Sequence, residues 1–224
     1  MKALAASYRF DGYAVIRGLL DAGTVADCRD HLTALRRSLP VGPIVAVDPS
    51  GGWPGRPRRG GSSGADVAPA HARLQQVAEG LLGGPVDCFG LTYIVKAPGG
   101  DPAMWHQDGY PWRTSMGIGE ALTLWAALDD CDEENGCLQV IPASHRGEAR
   151  PLEAVGGGVG GGEAGAGMFG GGIFPEAELV ATTRPLIMRA GDVSAHHPCL
   201  VHGSGPNRSG GERAALVLRY RPAR

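Results

Sequence analysis

From residue 86 onward the sequence never sustains a helical spacing, and this most limits what the chain can become. Short apolar runs alternate with turn signals: residues 86–96, the stretch around His106, then 121–128, 137–141, 183–188, 191–202 and 213–220. Pro98-Gly99-Gly100, the acidic turn that ends at Asn135-Gly136, and Gly210-Gly211 separate them. Runs of this length between such punctuation read as strands, with 121–128 and 137–141 as a hairpin. Ahead of them the spacing is different. Residues 10–18 read as a first strand entered through a turn at Asp11-Gly12. Asp21 can then cap a helix carrying Val25, Cys28, Leu32, Leu35 and Leu39, stopped by Pro40. Leu74, Val77, Ala78 and Leu81 mark a second helix, ended by Gly83-Gly84-Pro85. Helices first and many short strands after predict a mainly β fold. The expected core is a double-stranded β-helix, or jelly roll, with the N-terminal helices packed outside it. Residues 1–224 are expected to form one domain.

Two blocks interrupt the pattern. Residues 41–69 turn to Gly, Pro, Ser and Arg, and residues 155–172 are glycine-rich around Met168 and Phe169. Both read as loops or lids. Arg56, Arg58 and Arg59 in the first could meet an anionic substrate. The charge balance, 21 Lys and Arg against 23 Asp and Glu, gives no global field to recruit nucleic acid or an anionic membrane. No apolar run approaches the ~20 residues of a membrane span. Five cysteines without a C-x-x-C pair read as free thiols of a cytoplasmic protein.

The chemistry centres on Met104-Trp105-His106-Gln107-Asp108-Gly109. In an extended chain side chains alternate, so His106 and Asp108 point the same way and Gln107 away. An imidazole and a carboxylate side by side make two thirds of the facial triad that holds non-haem Fe(II) with open positions. The third ligand must come from another strand, and the candidates are His145, His196, His197 and His202. Adjacent His196 and His197 cannot both face a metal. His202 fits best, because an apolar extended segment ends in it and a Gly-rich turn follows. Arg213 opens the next strand, where a fixed guanidinium suits the far carboxylate of a dicarboxylate chelator. Arg213 and Arg219 share a face of a regular strand. Arg219 must therefore lie near the open end of the barrel, unless a bulge intervenes.

These blocks together resemble the phytanoyl-CoA dioxygenase-like family of Fe(II)/2-oxoglutarate oxygenases. The resemblance runs from Asp11-Gly12-Tyr13-Ala14-Val15-Ile16-Arg17-Gly18 through Lys96-Ala97-Pro98-Gly99, His106-Gln107-Asp108 and Trp125-Ala126-Ala127-Leu128-Asp129-Asp130. It continues in Asn135-Gly136-Cys137-Leu138, Pro142-Ala143-Ser144-His145, Gly191-Asp192-Val193, His202-Gly203-Ser204-Gly205-Pro206-Asn207 and Arg213. The resemblance implies that His106, Asp108 and His202 bind iron and that Arg213 pairs with the distal carboxylate of 2-oxoglutarate. It also implies that Ser204 helps that arginine, that Trp125 lines the co-substrate pocket and that Thr92 contacts the co-substrate. His145 belongs to a segment that looks structural in the family. Ala143 stands where the family usually has glycine. The family's basic residue before the second helix has no clear match.

The implied reaction is oxidative decarboxylation of 2-oxoglutarate by O2, giving succinate and CO2, coupled to hydroxylation of an unactivated C–H of a small molecule of secondary-metabolite type. Halogenases of related design carry a small residue in place of the carboxylate, so Asp108 argues for hydroxylation. Desaturation, epimerisation and cyclisation share the same oxidant and stay open. Tyr110, Trp112 and Arg113, with Trp53, Met168 and Phe169, are the candidate substrate contacts. A jelly-roll metalloenzyme that does not use 2-oxoglutarate and an inactive binding module are the rival readings. The oligomeric state is not legible.

Overall fold

The structure, a computed structural model, describes residues 2–38, 44–47, 68–109, 112, 120–147 and 172–223. Among the described residues, three helices, α1 (Lys2–Asp11), α2 (Ala22–Ser38) and α3 (Ala68–Leu82), and a short α4 (Ala177–Val180) accompany ten strands. The strands are β1 (Tyr13–Ile16), β2 (Ile44–Val47), β3 (Val86–Lys96), β4 (Ala103–His106), β5 (Leu122–Ala127), β6 (Leu138–Val140), β7 (Arg184–Pro185), β8 (Val193–His196), β9 (His202–Ser204) and β10 (Arg213–Pro222). They form a six-stranded sheet, β1-β8-β5-β10-β3-β2, and a four-stranded sheet, β4-β9-β6-β7. Every pairing is antiparallel. This is the expected jelly-roll core with helices on one outer face.

Alternation along the central strands divides the large sheet into two chemistries. Leu216, Leu218 and Tyr220 of β10, Leu91, Tyr93 and Val95 of β3, and Leu122, Leu124 and Ala126 of β5 join the helical residues in one buried cluster. The helices supply Val25, Cys28, Leu32 and Leu35 from α2 and Leu74, Val77, Ala78 and Leu81 from α3, the faces their spacing predicts. Each such fully buried aliphatic side chain contributes about 1.5–3 kcal/mol. The opposite set on β10, Arg213, Val217 and Arg219, lines a cavity shared with the small sheet. The parity question is thereby answered. Register slips between β10 and β3 only after Arg219, so Arg213 and Arg219 do share the inner face.

Local chemistry sets the helix ends. Asp21 caps α2, its Oδ1 accepting from the Thr24 N–H at 2.8 Å. The N–H groups of Gly83 and Gly84 both reach Glu79 O at the end of α3. Asp192, before β8, accepts from the N–H groups of Gly18 and Arg189 and from the Arg17 guanidinium, fastening the turn after β1 to the large sheet. Gly12 has φ +81°, and a Cβ there would lie 2.5 Å from His145 Nδ1. That close approach fits His145's structural assignment, since its Nε2 also bonds Arg9 O at 3.1 Å.

Several boundaries differ from expectation. Residues 2–11 are helical, so Asp11 ends α1, Gly12 makes the turn and the first strand begins only at Tyr13. Within the predicted 41–69 loop, the β-branched run Ile44–Val47 pairs with β3 as an edge strand; the surrounding Gly and Pro content obscured it. The proposed hairpin does not form. β5, buried along its whole length, pairs with β10 and β8, while β6 crosses to the small sheet beside β9 and β7. The 191–202 run is likewise two strands in different sheets, because Pro198 has no N–H to continue a ladder. His202 therefore opens β9 rather than closing a strand. The 183–188 run keeps only the Arg184–Pro185 pairing and an isolated bridge between Met188 and Cys131. The 155–171 part of the glycine-rich block lies outside the described residues, as do Trp53, Arg56, Arg58, Arg59, Met168 and Phe169. Among the described residues no helix is long and apolar enough to cross a membrane.

Candidate active site

One ligating atom from each of His106, Asp108 and His202 lies within 4.8 Å of the others. His106 ends β4, and its register partner on β9 is His202, which places the two rings 4.1 Å apart between centroids. Asp108 follows in the turn after β4. Gln107 is not part of the ligand set: it borders the cavity but donates to Cys199 O at 2.6 Å. The His-x-Asp alternation therefore holds although the strand stops at its histidine.

The state of each group follows from its partners. His106 Nδ1 lies 2.8 Å from Met104 O, and His202 Nδ1 lies 2.9 Å from Leu200 O. A carbonyl can only accept, so both Nδ1 atoms carry the proton and both Nε2 atoms present a lone pair. Burial, reinforced by His202, pushes the His106 imidazole down to about 3. Burial and the neighbouring His196 bring His202 to about 4. Both rings are neutral at neutral pH, as metal ligands must be. Burial alone would raise Asp108, but His196, His202, Arg219 and His106 together hold it well below the usual carboxylate range. Its Oδ2 accepts from Thr123 Oγ1 at 2.9 Å, leaving Oδ1 for a ligand. Two neutral imidazoles and an ionised carboxylate are the donor set of a non-haem Fe(II) centre.

The cavity, about 310 Å³, runs between the two sheets. Its walls include Ile94, Trp125, Leu138 and Val217, and Arg213 lines it as well. Arg213 is 2 % exposed and donates from Nη2 to Gly136 O at 2.9 Å. Its guanidinium carbon lies 5.3 Å from the Trp125 ring centroid, and Nε has no partner among the described residues. Position 136 requires glycine for another reason: at φ +74° a Cβ would come within 2.5 Å of Gly205 O.

Ser204 lines the same cavity, but its Oγ is engaged by Lys96 Nζ at 2.6 Å rather than by Arg213. Lys96 also donates to Gly205 O. An ammonium has no acceptor, so the Ser204 hydroxyl proton is free to point into the cavity. Burial and the neighbouring Arg213 bring Lys96 down to about 7. On β9, Ser204 lies two residues beyond His202 on the same face, about 7 Å away. A cation-rich pocket thus sits a short diacid's length from the triad.

Of the other sequence candidates, Thr92 is buried, and its Oγ1 accepts from Arg219 Nη1 at 3.0 Å. Trp112 lines the cavity and meets Phe89 edge-on, 5.2 Å between centroids. Tyr110 and Arg113 lie outside the described residues. His196 reaches the site, with Nε2 3.8 Å from Asp108 Oδ2. His197 turns away toward Tyr8 and His145, as opposed faces require. Sequence reasoning gave no role to Lys96 or to the Thr123 hydroxyl. Alternation on β3 and β5 is the signal that would have turned both inward.

The model of the phytanoyl-CoA dioxygenase (PhyH) family matches residues 8–215. The chain belongs to the phytanoyl-CoA dioxygenase family. Its members are Fe(II)/2-oxoglutarate-dependent oxygenases. Over 123 residues the chain is 35% identical to the peroxisomal phytanoyl-CoA dioxygenase of Rattus norvegicus, covering 51% of this chain and 32% of that one. The chain therefore spans about a third of the length of the phytanoyl-CoA dioxygenases it matches. It is 35% identical over 172 residues to an L-proline trans-4-hydroxylase of Streptomyces griseoviridis, 66% of this chain and 59% of that protein. Among solved structures it resembles the epimerase SnoN in complex with Fe3+, alpha ketoglutarate and nogalamycin RO. There the TM-score is 0.65 and the identity 28%, covering 99% of this chain and 83% of that one.

Proposed function

We propose that this chain is a single oxygenase domain that hydroxylates an unactivated C–H of a small molecule, with Fe(II), 2-oxoglutarate and O2. The observation that carries this reading is the meeting of His106, Asp108 and His202 in one cavity with the buried Arg213. The two histidines and Asp108 would hold the iron. Arg213, fixed by Gly136 O and flanked by Trp125, would take the distal carboxylate of 2-oxoglutarate, with the Ser204 hydroxyl turned toward it by Lys96. Bound together, iron and 2-oxoglutarate supply the oxidising chemistry, consuming O2 and releasing succinate and CO2.

The protein's own contribution is placement. The Nδ1 bonds fix both ring tautomers, Thr123 orients Asp108, and the apolar walls keep bulk water from the reacting centre. The ordinary carboxylate at position 108 speaks for oxygen transfer rather than halogenation. The likeness to an epimerase supports one second reading, in which the same oxidant serves epimerisation; product analysis separates the two. Trp112, and with it Tyr110 and Arg113, would meet the substrate. The five free cysteines fit a cytoplasmic setting.

Arg213→Met is the test. Removing one partner of a buried charged pair costs about 2–5 kcal/mol, so 2-oxoglutarate should bind about 30-fold to several-thousand-fold more weakly. Unchanged 2-oxoglutarate affinity and turnover in a folded variant would reject the co-substrate assignment.

A further inference from the structure

Arg219 is the cation of the cavity that the proposed oxygenase chemistry leaves unused. It sits on the same inner face of β10 as Arg213, six residues on, about 20 Å along the strand. A five-carbon diacid held by Arg213 at one end cannot reach it. Register places Arg219 beside Thr123 on β5, and Thr123 beside His196 on β8. These are the residues next to Asp108. Arg219 therefore flanks the triad itself, at the opposite end of the strand from the Arg213 pocket.

Its surroundings are built to hold it without neutralising it. Nη1 donates to Thr92 Oγ1 at 3.0 Å, and the guanidinium carbon lies 6.0 Å from the Trp112 ring centroid. The residue opposite it on β3 is Gly90, which adds no side chain to crowd it. No carboxylate lies within ion-pair distance of Arg219 among the described residues, and Asp108 is the one carboxylate among those lining the cavity. His196, 1 % exposed on the same wall, has neither ring nitrogen bonded among them.

The charge count points to a missing anion, and it rests on the oxygenase reading. Asp108 and the two carboxylates of 2-oxoglutarate bring three negative charges against two on the iron, and Arg213 alone answers the one in surplus. Arg219 remains a half-buried cation in an apolar cavity, an arrangement that disfavours neutral occupants and favours an anionic one. A planar guanidinium, whose other N–H donors have no hydrogen-bond partner among the described residues, matches a carboxylate in a bidentate pair.

We infer that Arg219, steadied by Thr92 and Trp112, is the anchor for a carboxylate on the substrate, so that the enzyme acts on small organic acids.

The test uses matched pairs of acid and carboxamide: acetate with acetamide, cyclohexanecarboxylate with its amide, and benzoate with benzamide. Binding is read by ligand-detected NMR on protein loaded with Zn(II) and 2-oxoglutarate. At least one acid should bind tenfold or more tightly than its amide without displacing 2-oxoglutarate. Arg219→Gln should bring that acid down to the level of its amide, and Arg219→Lys should keep part of the preference. If no acid outbinds its amide, if the acids displace 2-oxoglutarate, or if Arg219→Gln keeps the preference, the anchor is refuted. The oxygenase reading fails separately, through the absence of a visible band with Fe(II) and 2-oxoglutarate, a measurement that does not involve the acids.

Discussion

Thr123→Val isolates the hydroxyl that holds Asp108. Thr123 is 1 % exposed near the start of β5, between Arg219 on β10 and His196 on β8. Valine keeps the branched shape and removes only the donor at 2.9 Å from Asp108 Oδ2. A hydrogen bond to a charged group contributes about 1.5–3 kcal/mol. For a chain of this size each kcal/mol moves Tm by about 2–4 °C, so the metal-free variant should melt about 3–12 °C lower. The same bond also chooses which oxygen of Asp108 faces the two histidines. Loss of such an orienting partner costs about 10–100-fold in metal affinity. Anaerobic calorimetric titration with Fe(II) or Mn(II), beside a thermal melt of the metal-free protein, measures both effects, and Thr123→Ser should restore both. A variant that melts lower yet binds metal as tightly as the parent would refute the reasoning, because Thr123 would then be an ordinary core hydrogen bond.

Two further perturbations follow from single residues. Ala143 adopts φ 62°, a left-handed conformation that costs a residue with a Cβ about 1–2 kcal/mol. Ala143→Gly should relieve this, less about 0.4–1 kcal/mol of added unfolded-state entropy, for a net gain of about 0.5–1 kcal/mol. A thermal melt should rise by about 1–4 °C, and a lower Tm would contradict the strain. Lys96, near 7 in the ligand-free site, should be drawn into its charged form by an incoming carboxylate. Binding of 2-oxoglutarate then takes up a proton, so its affinity should be greatest below about 7 and weaken as pH rises through and beyond that value. A pH series of Kd tests this; Lys96→Met should flatten the profile, and a variant that keeps the parent slope would exclude Lys96 as its source.

The architecture was legible where alternation and turn chemistry act locally. Asp21 capping α2, the apolar faces of α2 and α3, and the inward pairing of His106 with Asp108 all depend on neighbours a few residues away. Strand partnership was not legible, because it is decided between segments distant in sequence. Residues 121–128 and 137–141 look like a hairpin, yet β5 is buried on both faces and belongs inside the large sheet, which sends β6 across to the other. Pro198 was visible, but its effect of splitting one run between two sheets needs both sheets to be known. At the site, the triad candidates were found because metal ligands are chemically conspicuous. Thr123 looks like any strand threonine, and Lys96 like a charged strand end. Alternation sets each on the inner face of its strand, but only the fold's long-range pairings bring them to Asp108 and Ser204. The edge strand Ile44–Val47 was hidden by the Gly and Pro around it.

The most direct measurement is anaerobic addition of Fe(II) and then 2-oxoglutarate to the metal-free protein, followed by visible absorption. A weak charge-transfer band should appear only when both are present, because it requires the co-substrate bound to iron held by His106, Asp108 and His202. His202→Ala, shown folded by circular dichroism, should lack it. A folded parent protein that gives no band, or a His202→Ala variant that gives the full band, would contradict the assignment of this cavity as an Fe(II)/2-oxoglutarate centre.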